Sequence, residues 1–505
     1  MEQNSKRIVK NTIYLYSRQL VIMALGFFTT RIVLDKLGAS DYGVNNVVAG
    51  FVSMFTLLNN VLQTGTRRFL ALNLGKGEEN LLKLTFSTSF VIHLCVAVIV
   101  VILLESFGLW FLNSELNIPE GRMIAANWVF QFSIVSIFLG ITQTPYTAAI
   151  TAHEHFNIYA FLSIFDVLAK LAVLFLLVYI PADKLILYAF LTLFVNFLNI
   201  SITRWYCIKH FVECKFSLTI DKSLFREMSV FSGWSTIGNL SATLNSHGRS
   251  VLLNMFFNTI VNAAVGLAGT VSFTISQFVD GFVTAATPQL VKYYGAGDKE
   301  RFEKLTFNVS QYSIFLLALI GIPVLLEIDY VLQLWLTEVP QYTSEFIKIT
   351  VLVSFISYSN RFIDQGIIAI GRAKELALYS QPLYLMTLPL VYLALKTGCT
   401  PSEVYFVGAV PISLVFIVNL NILRKFVQFP ARKFFLSVFI KNIVLVLLAM
   451  IFPYLIQQRM ESGLLRFIVV CGVSVLCTVT ILYSFALNKE TRMMIFAKVK
   501  KIACR

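Results

Sequence analysis

The chain has 505 residues, 57% of them hydrophobic and 13% charged, with a mean hydropathy of +0.75. A water-soluble globular protein is excluded, because its surface would need far more polar cover; lipid is the solvent. The formal net charge of +14 is concentrated at the ends of apolar stretches, so it reads as a topology signal and an attraction to anionic headgroups, not as a nucleic-acid interface.

In chain order, residues 1–11 form a short basic segment, and the first apolar stretch occupies 12–34. No small-residue cleavage site closes that stretch and Arg18 interrupts it, so it is a retained span and not a removed signal peptide. Further spans are expected at 44–66, 85–107, 124–148, 159–180 and 185–206. A second set follows at 230–255, 259–286, 307–326, 347–370, 377–395 and 402–422, and a last pair at 437–456 and 466–487. Each is near the ~20 residues a bilayer requires. An all-α polytopic membrane protein of about 14 helices follows. Lys and Arg are strongly biased to one side if the N-terminus is inside, so both termini are expected in the cytoplasm.

The chain also repeats itself. Leu74-Gly-Lys-Gly-Glu-Glu-Asn-Leu-Leu-Lys-Leu-Thr-Phe86 returns as Tyr294-Gly-Ala-Gly-Asp-Lys-Glu-Arg-Phe-Glu-Lys-Leu-Thr-Phe307. Three weaker markers recur in the same order: Arg31-Ile-Val-Leu with Arg249-Ser-Val-Leu, Leu109-Trp with Leu334-Trp, and Ala149-Ile150 with Ala369-Ile370. Six spans per copy is an even number, so the copies insert in the same orientation, as a parallel repeat of two six-helix lobes. The expected organisation is an N-lobe over 1–220, a C-lobe over 221–425, and two extra C-terminal helices with a basic tail over 426–505. The loops are too short to hold a separate soluble domain.

Charges inside a bilayer cost roughly 3 kcal/mol each, so each needs a reason. Asp166 with Lys170, and Arg361 with Asp364, are spaced to pair on one helical face. Arg31, Lys348 and Lys441 lie close enough to span ends to reach the interface. Arg18, His247, Arg249 and Asp280 have no opposite charge three or four positions away. Span 7 carries a polar stripe from Ser232 through Asn239 to Ser250. Thr56, Asn60 and Thr64 of span 2 occupy the repeat positions of Ser276, Asp280 and Thr284 in span 8, with Gln277 beside them. Small hydroxyls also serve helix packing; the amides and the carboxylate favour a water-filled cavity. Two deep arginines in equivalent helices suit an anion, particularly a pyrophosphate. A pump for cations would be expected to carry acidic residues in its first span.

Other patterns are weaker. Gly75-Lys76-Gly77 lacks the spacing of a phosphate loop. His153-Glu154-His155 places two imidazoles on diverging faces, and reads as a solvated turn without metal. The seven cysteines show no CxxC pairing, so neither a disulfide framework nor zinc is indicated. No ATPase motif is present. Transport would draw on an H+ or Na+ gradient, the membrane potential or downstream consumption, with no bound cofactor.

Arg31-Ile-Val-Leu-Asp-Lys-Leu-Gly-Ala-Ser-Asp-Tyr-Gly43, Val331-Leu-Gln-Leu-Trp-Leu-Thr-Glu-Val-Pro340 and Ala369-Ile-Gly-Arg372 resemble the polysaccharide transporters, the Wzx-like O-antigen and lipid-linked oligosaccharide flippases. These belong to the multidrug/oligosaccharidyl-lipid/polysaccharide (MOP) flippase superfamily. The resemblance implies a MATE-like fold working by alternating access. The implied substrate is an undecaprenyl-pyrophosphate-linked oligosaccharide, moved from the inner to the outer leaflet of a bacterial plasma (inner) membrane. It also implies that Arg18 matches a first-span cavity arginine that binds the headgroup, and that spans 13 and 14 cradle the lipid tail. Arg249 departs from the pattern, which often has an acidic residue there.

The expected function is therefore a flippase and not an enzyme. Arg18 and Arg249, with His247, would bind pyrophosphate; Asp280 and Asn60 would bind sugar hydroxyls or a coupling ion; Gln277 and Asn239 would join them in binding substrate. Membrane lipids and other polysaccharide-assembly membrane proteins are the expected partners. The alternatives are a multidrug/cation antiporter of the same superfamily and a membrane glycosyltransferase, polymerase or ligase. Such an enzyme would be expected to carry a sizeable outer loop, whereas the acidic stretches Glu105–Glu120 and Glu327–Glu345 are short.

Overall fold

The computed structural model describes residues 2–76, 78–153, 155–215 and 220–486; the basic tail expected at the C-terminus lies outside the described residues beyond 486. The chain is helical, and no strand occurs among the described residues. In order the helices are α1 (Glu2–Ser53), α2 (Thr56–Lys76) and α3 (Glu79–Ser114). They continue with α4 (Met123–Ala152), α5 (Phe156–Tyr179), α6 (Lys184–His210) and α7 (Lys222–Phe256). Next come α8 (Thr259–Gly295), α9 (Lys299–Trp335), α10 (Thr343–Ala369) and α11 (Ala373–Lys396). The last are α12 (Pro401–Val427), α13 (Ala431–Arg459) and α14 (Leu464–Phe485).

Eleven of the described helices, α3–α6 and α8–α14, are long and apolar enough to cross a membrane. The protein is a multi-pass membrane protein. The first expected span falls on α1, the second runs from the end of α1 into α2, and the seventh falls on α7. α1 is two helices joined at Gly38, whose φ of 77° lies in the left-handed region that costs glycine nothing. That kink stands where the sequence separates spans 1 and 2. The second span differs from its expected continuous form: the helical ladder breaks after Ser53, where Met54 and Phe55 bond three residues back and the Thr56 hydroxyl donates to the Ser53 carbonyl.

The chain folds into two compact units, Met1–Leu267 with Leu336–Gln341, and Ala268–Trp335 with Tyr342–Arg505. These units do not part at the repeat boundary near 220: α7 packs against α1, α2 and α3 of the first unit. Val44, Val47, Val48 and Val52 of α1 form a helical face buried in one core with Phe130, Ile134 and Ile141 of α4 and Val251 of α7. Lipid is as apolar as these side chains, so close packing holds such helices together better than exclusion from water does. Gly43 shows how close the approach is, since a Cβ there would collide with the Thr259 carbonyl at the start of α8.

At one end of this unit Arg122 ties three segments. Its Nε and Nη2 donate to Asp41 of α1, at 2.8 and 2.5 Å, and its Nη1 donates to Asp183 at 2.5 Å. Asp183 also caps α6 through the Leu185 and Ile186 amides. At the other end His153 Nε2 lies 2.6 Å from Glu213 Oε1, and the His153 ring stacks on Phe211 with centroids 4.2 Å apart. His155 Nδ1 is 2.9 Å from the Tyr206 hydroxyl. The expected solvated turn is therefore a packed one, because buried Glu213, 2% exposed, needs a donor. Glu154 lies outside the described residues.

In the second unit α9 packs against α10 and α14. Glu327, expected in an outer loop, is instead inside α9 and fully buried, and Arg466 of α14 donates to it at 3.0 Å. The Gln457 amide of α13 donates to the Leu326 carbonyl, and Gln311 of α9 donates to Asn442 of α13 at 3.3 Å. The two C-terminal helices are thus anchored on α9 by polar contacts.

Replacing Arg466 with Leu leaves a buried carboxylate without its cation, and is expected to cost about 3 kcal/mol. Thermal unfolding in detergent should show most of the loss recovered in Glu327→Leu/Arg466→Leu. Arg122→Gln should cost about 1 kcal/mol at neutral pH, since its pairs are partly screened by solvent. Arg122, together with the α6 amides, holds Asp183 below its ordinary value of 3.8. Its stabilising share is complete above that value and disappears as acid protonates the folded carboxylate below it. Unfolding midpoints of Arg122→Gln and the parent should therefore converge as pH falls below 3.8.

Candidate functional site

In the first unit, α7 brings His247 to α1, with both ring nitrogens 3.4 Å from the Ser53 hydroxyl. Arg249, two residues on, is half-buried on another face of the same helix. Arg18 lies on α1, Asn60 on α2 and Asn239 on α7; their side chains are outside the described residues.

A cavity of about 470 Å³ opens among α4, α5 and α6 of this unit. Ile150, Leu162, Val167, Ile200 and the Tyr159 ring supply its apolar wall. Its polar wall includes Gln143, Asn196, Asn199 and Asp166. Asp166 is paired with Lys170 at 2.8 Å, as their four-residue spacing implies. Arg204 of α6 braces the cavity wall. Its Nε donates to Gln143 Oε1 at 3.1 Å and its Nη2 to Thr142 Oγ1 at 2.9 Å, with the guanidinium 5.4 Å from the Tyr146 ring centroid.

In the second unit, Gln277 and Asp280 stand three apart on α8 and share one side. Asp280 Oδ1 accepts from Arg361 Nε of α10 at 2.9 Å. This corrects the expected Arg361–Asp364 pair. Asp364 Oδ1 instead accepts from Asn360 Nδ2 at 3.1 Å and from Asn419 Nδ2 of α12 at 2.5 Å. The physical reason is donor supply: two buried amides flank Asp364, while Arg361, nearly half exposed, reaches across to the carboxylate of α8. Ser380 donates to Asn419 at 2.5 Å, from a π-helical turn, Leu376–Ser380, that aims its hydroxyl inward. Among the described residues no group of His, Cys, Asp and Glu is arranged to hold a metal ion.

A cavity lined in part by polar side chains in one unit, and an ion pair beside an amide network in the other, are carried on apolar helices. A family model for polysaccharide biosynthesis proteins matches residues 8–294. The chain belongs to that family. None of the curated protein sequences matches this polysaccharide biosynthesis protein. Among solved structures it resembles the lipid II flippase MurJ in an inward closed conformation, with a TM-score of 0.73 at 13% identity, covering 94% of this chain and 98% of the other. An inward-facing multidrug resistance MATE transporter of the MOP superfamily gives a TM-score of 0.65 at 13% identity, covering 84% and 99%. A MOP superfamily transporter from Pyrococcus furiosus gives 0.60 at 14% identity, covering 85% and 96%. The fold is that of the MOP superfamily, as the sequence resemblance implied.

Asn360, Ser380 and Asn419 are not among the residues expected from the sequence, and Asp364 is expected there only as the partner of Arg361. The i, i+4 spacing of Asn360 and Asp364 was a usable signal, but the cation at 361 drew the pairing argument away from it. Asp364→Leu removes the acceptor of two buried amides, whereas Asp280→Ala opens a partly exposed ion pair. The first is expected to lower stability by about 2 kcal/mol and the second by under about 1 kcal/mol. Thermal unfolding in matched detergent should rank them in that order.

Proposed function

We propose that this protein is a flippase that moves an undecaprenyl-pyrophosphate-linked oligosaccharide across a bacterial plasma membrane by alternating access, without catalysing chemistry on it. The observation that carries the reading is the family match over residues 8–294 in a chain with the MOP fold. The likeness to a lipid II flippase, over 94% of the chain, supports a lipid-linked cargo. Arg18 and Arg249, with His247, would engage the pyrophosphate, where arginine's planar fork matches phosphate oxygens. Asn60, Asn239 and Gln277 would meet sugar hydroxyls. Asp280 would do so once Arg361 releases it, and the Asp280–Arg361 pair is where an H+ or Na+ gradient would couple. The termini would be cytoplasmic, α13 and α14 would guide the polyprenyl tail, and membrane lipids and other polysaccharide-assembly proteins would be neighbours.

A multidrug antiporter is the second reading, supported by the MATE likeness over 84% of the chain. The cationic Arg18 in the first span disfavours it, since a cationic drug would meet like charge there. A glycosyltransferase, polymerase or ligase is disfavoured by the outer connections: Glu327 belongs to α9, leaving a short turn before α10.

The test is leaflet exchange in proteoliposomes carrying a fluorescent undecaprenyl-pyrophosphate oligosaccharide, with and without an imposed ion gradient. Arg18→Ala and Arg249→Ala are each expected to slow exchange at least about tenfold, the loss of roughly 1.4 kcal/mol of headgroup interaction. Full-rate exchange by both variants at normal expression would refute the pyrophosphate role.

A further inference from the structure

Neither His247 nor Arg249 is among the described residues that line the cavity between α4, α5 and α6. We infer that it is a saccharide subsite, one that selects the sugar part of the cargo by its neutral hydroxyl and amide groups; this inference rests on the flippase reading. Its volume of about 470 Å³ falls in the ~300–1,000 Å³ range of small-molecule sites. Gln143, Thr147, Ser163, Asn196, Asn199 and Thr203 line it; Ser163, Asn199 and Thr203 each donate to a backbone carbonyl and keep acceptor oxygens, while the Gln143 and Asn196 amides and the Thr147 hydroxyl offer donors. That is the pattern a sugar's hydroxyls need, while Leu162, Ile200 and the Tyr159 ring offer surface to its C–H faces.

Charge argues against an anion. The lining carboxylate, Asp166, is neutralised by Lys170 at 2.8 Å. Arg204 spends its fork on Gln143 and Thr142 and lies against Tyr146. No cation of this wall is left uncommitted for phosphate among the described contacts. Helix packing alone accounts for some of the polarity, as where the Asn199 amide donates to the Leu162 carbonyl at 2.9 Å. Packing does not account for open volume, because amides used as glue bring helices together. The cavity extends toward the ends of α4 and α6 and the start of α5. Under the proposed topology this is the cytoplasmic half, where a donor assembled in the cytoplasm would be loaded.

The experiment uses the full-length protein in nanodiscs. Dissociation constants are measured for bare polyprenyl pyrophosphate and for the same lipid carrying hexose, N-acetylhexosamine or 6-deoxyhexose disaccharides. The parent protein is expected to bind at least one glycosylated lipid about tenfold more tightly than the bare lipid, a gain of roughly 1.4 kcal/mol. Thr147→Trp, which fills the cavity, should abolish that preference and leave bare-lipid affinity unchanged. Asn196→Ser, a smaller change, should reduce the preference and decides the matter if the tryptophan variant fails to fold. Variants that keep the full preference, or a parent that binds no glycosylated lipid better than bare lipid, would overturn the subsite while leaving the flippase reading intact. A parent that binds none of these lipids would overturn both.

Discussion

A polar group inside a hydrocarbon layer must be bonded by another part of the protein or lie against a water-filled space, because lipid offers it nothing. The backbone meets that demand by being helical. Many hydroxyls meet it on their own helix, as where Thr29 donates to Leu25, Ser133 to Val129 and Ser359 to Phe355. Charges meet it in pairs: Asp166 with Lys170, Asp280 with Arg361, Asp329 with Lys348, and Glu327 with Arg466. The last of these does more than satisfy a carboxylate. With Gln457 and Gln311 it anchors α13 and α14 on α9, in a medium that provides little apolar incentive for helices to associate.

The same demand separates structural polarity from functional polarity. Around Asp364, amides and hydroxyls close on one another: Ser380, Asn419 and Asn360 are each about 1% exposed. The cavity of the first unit is the opposite case, with polar side chains arranged around volume. Its lining carboxylate, Asp166, is neutralised by Lys170.

Much of the architecture was legible from local pattern. Apolar runs near bilayer length located most of the helices, although α8 and α9 extend well past the expected span ends, and the left-handed Gly38 sits where the sequence separates the first two spans. The pairing of Asp166 with Lys170 was legible for the same reason: both partners lie one helical turn apart. The partner of Asp280 was not, since Arg361 is 81 positions away, nor was that of Glu327, 139 positions from Arg466. Span 2 read as continuous because hydropathy is insensitive to the break after Ser53. The turn at His153 read as solvated because Phe211 and Glu213, which enclose it, lie at the end of another helix.

The sequence by itself determined the solvent, the helical class and the likeness to the MOP superfamily, because each depends on composition or on residues within a few turns of one another. The tertiary structure alone decided which charges neutralise which, where the chain divides into compact units, and where open polar volume remains. Those outcomes depend on groups brought together from distant positions, and no periodicity along the chain encodes them.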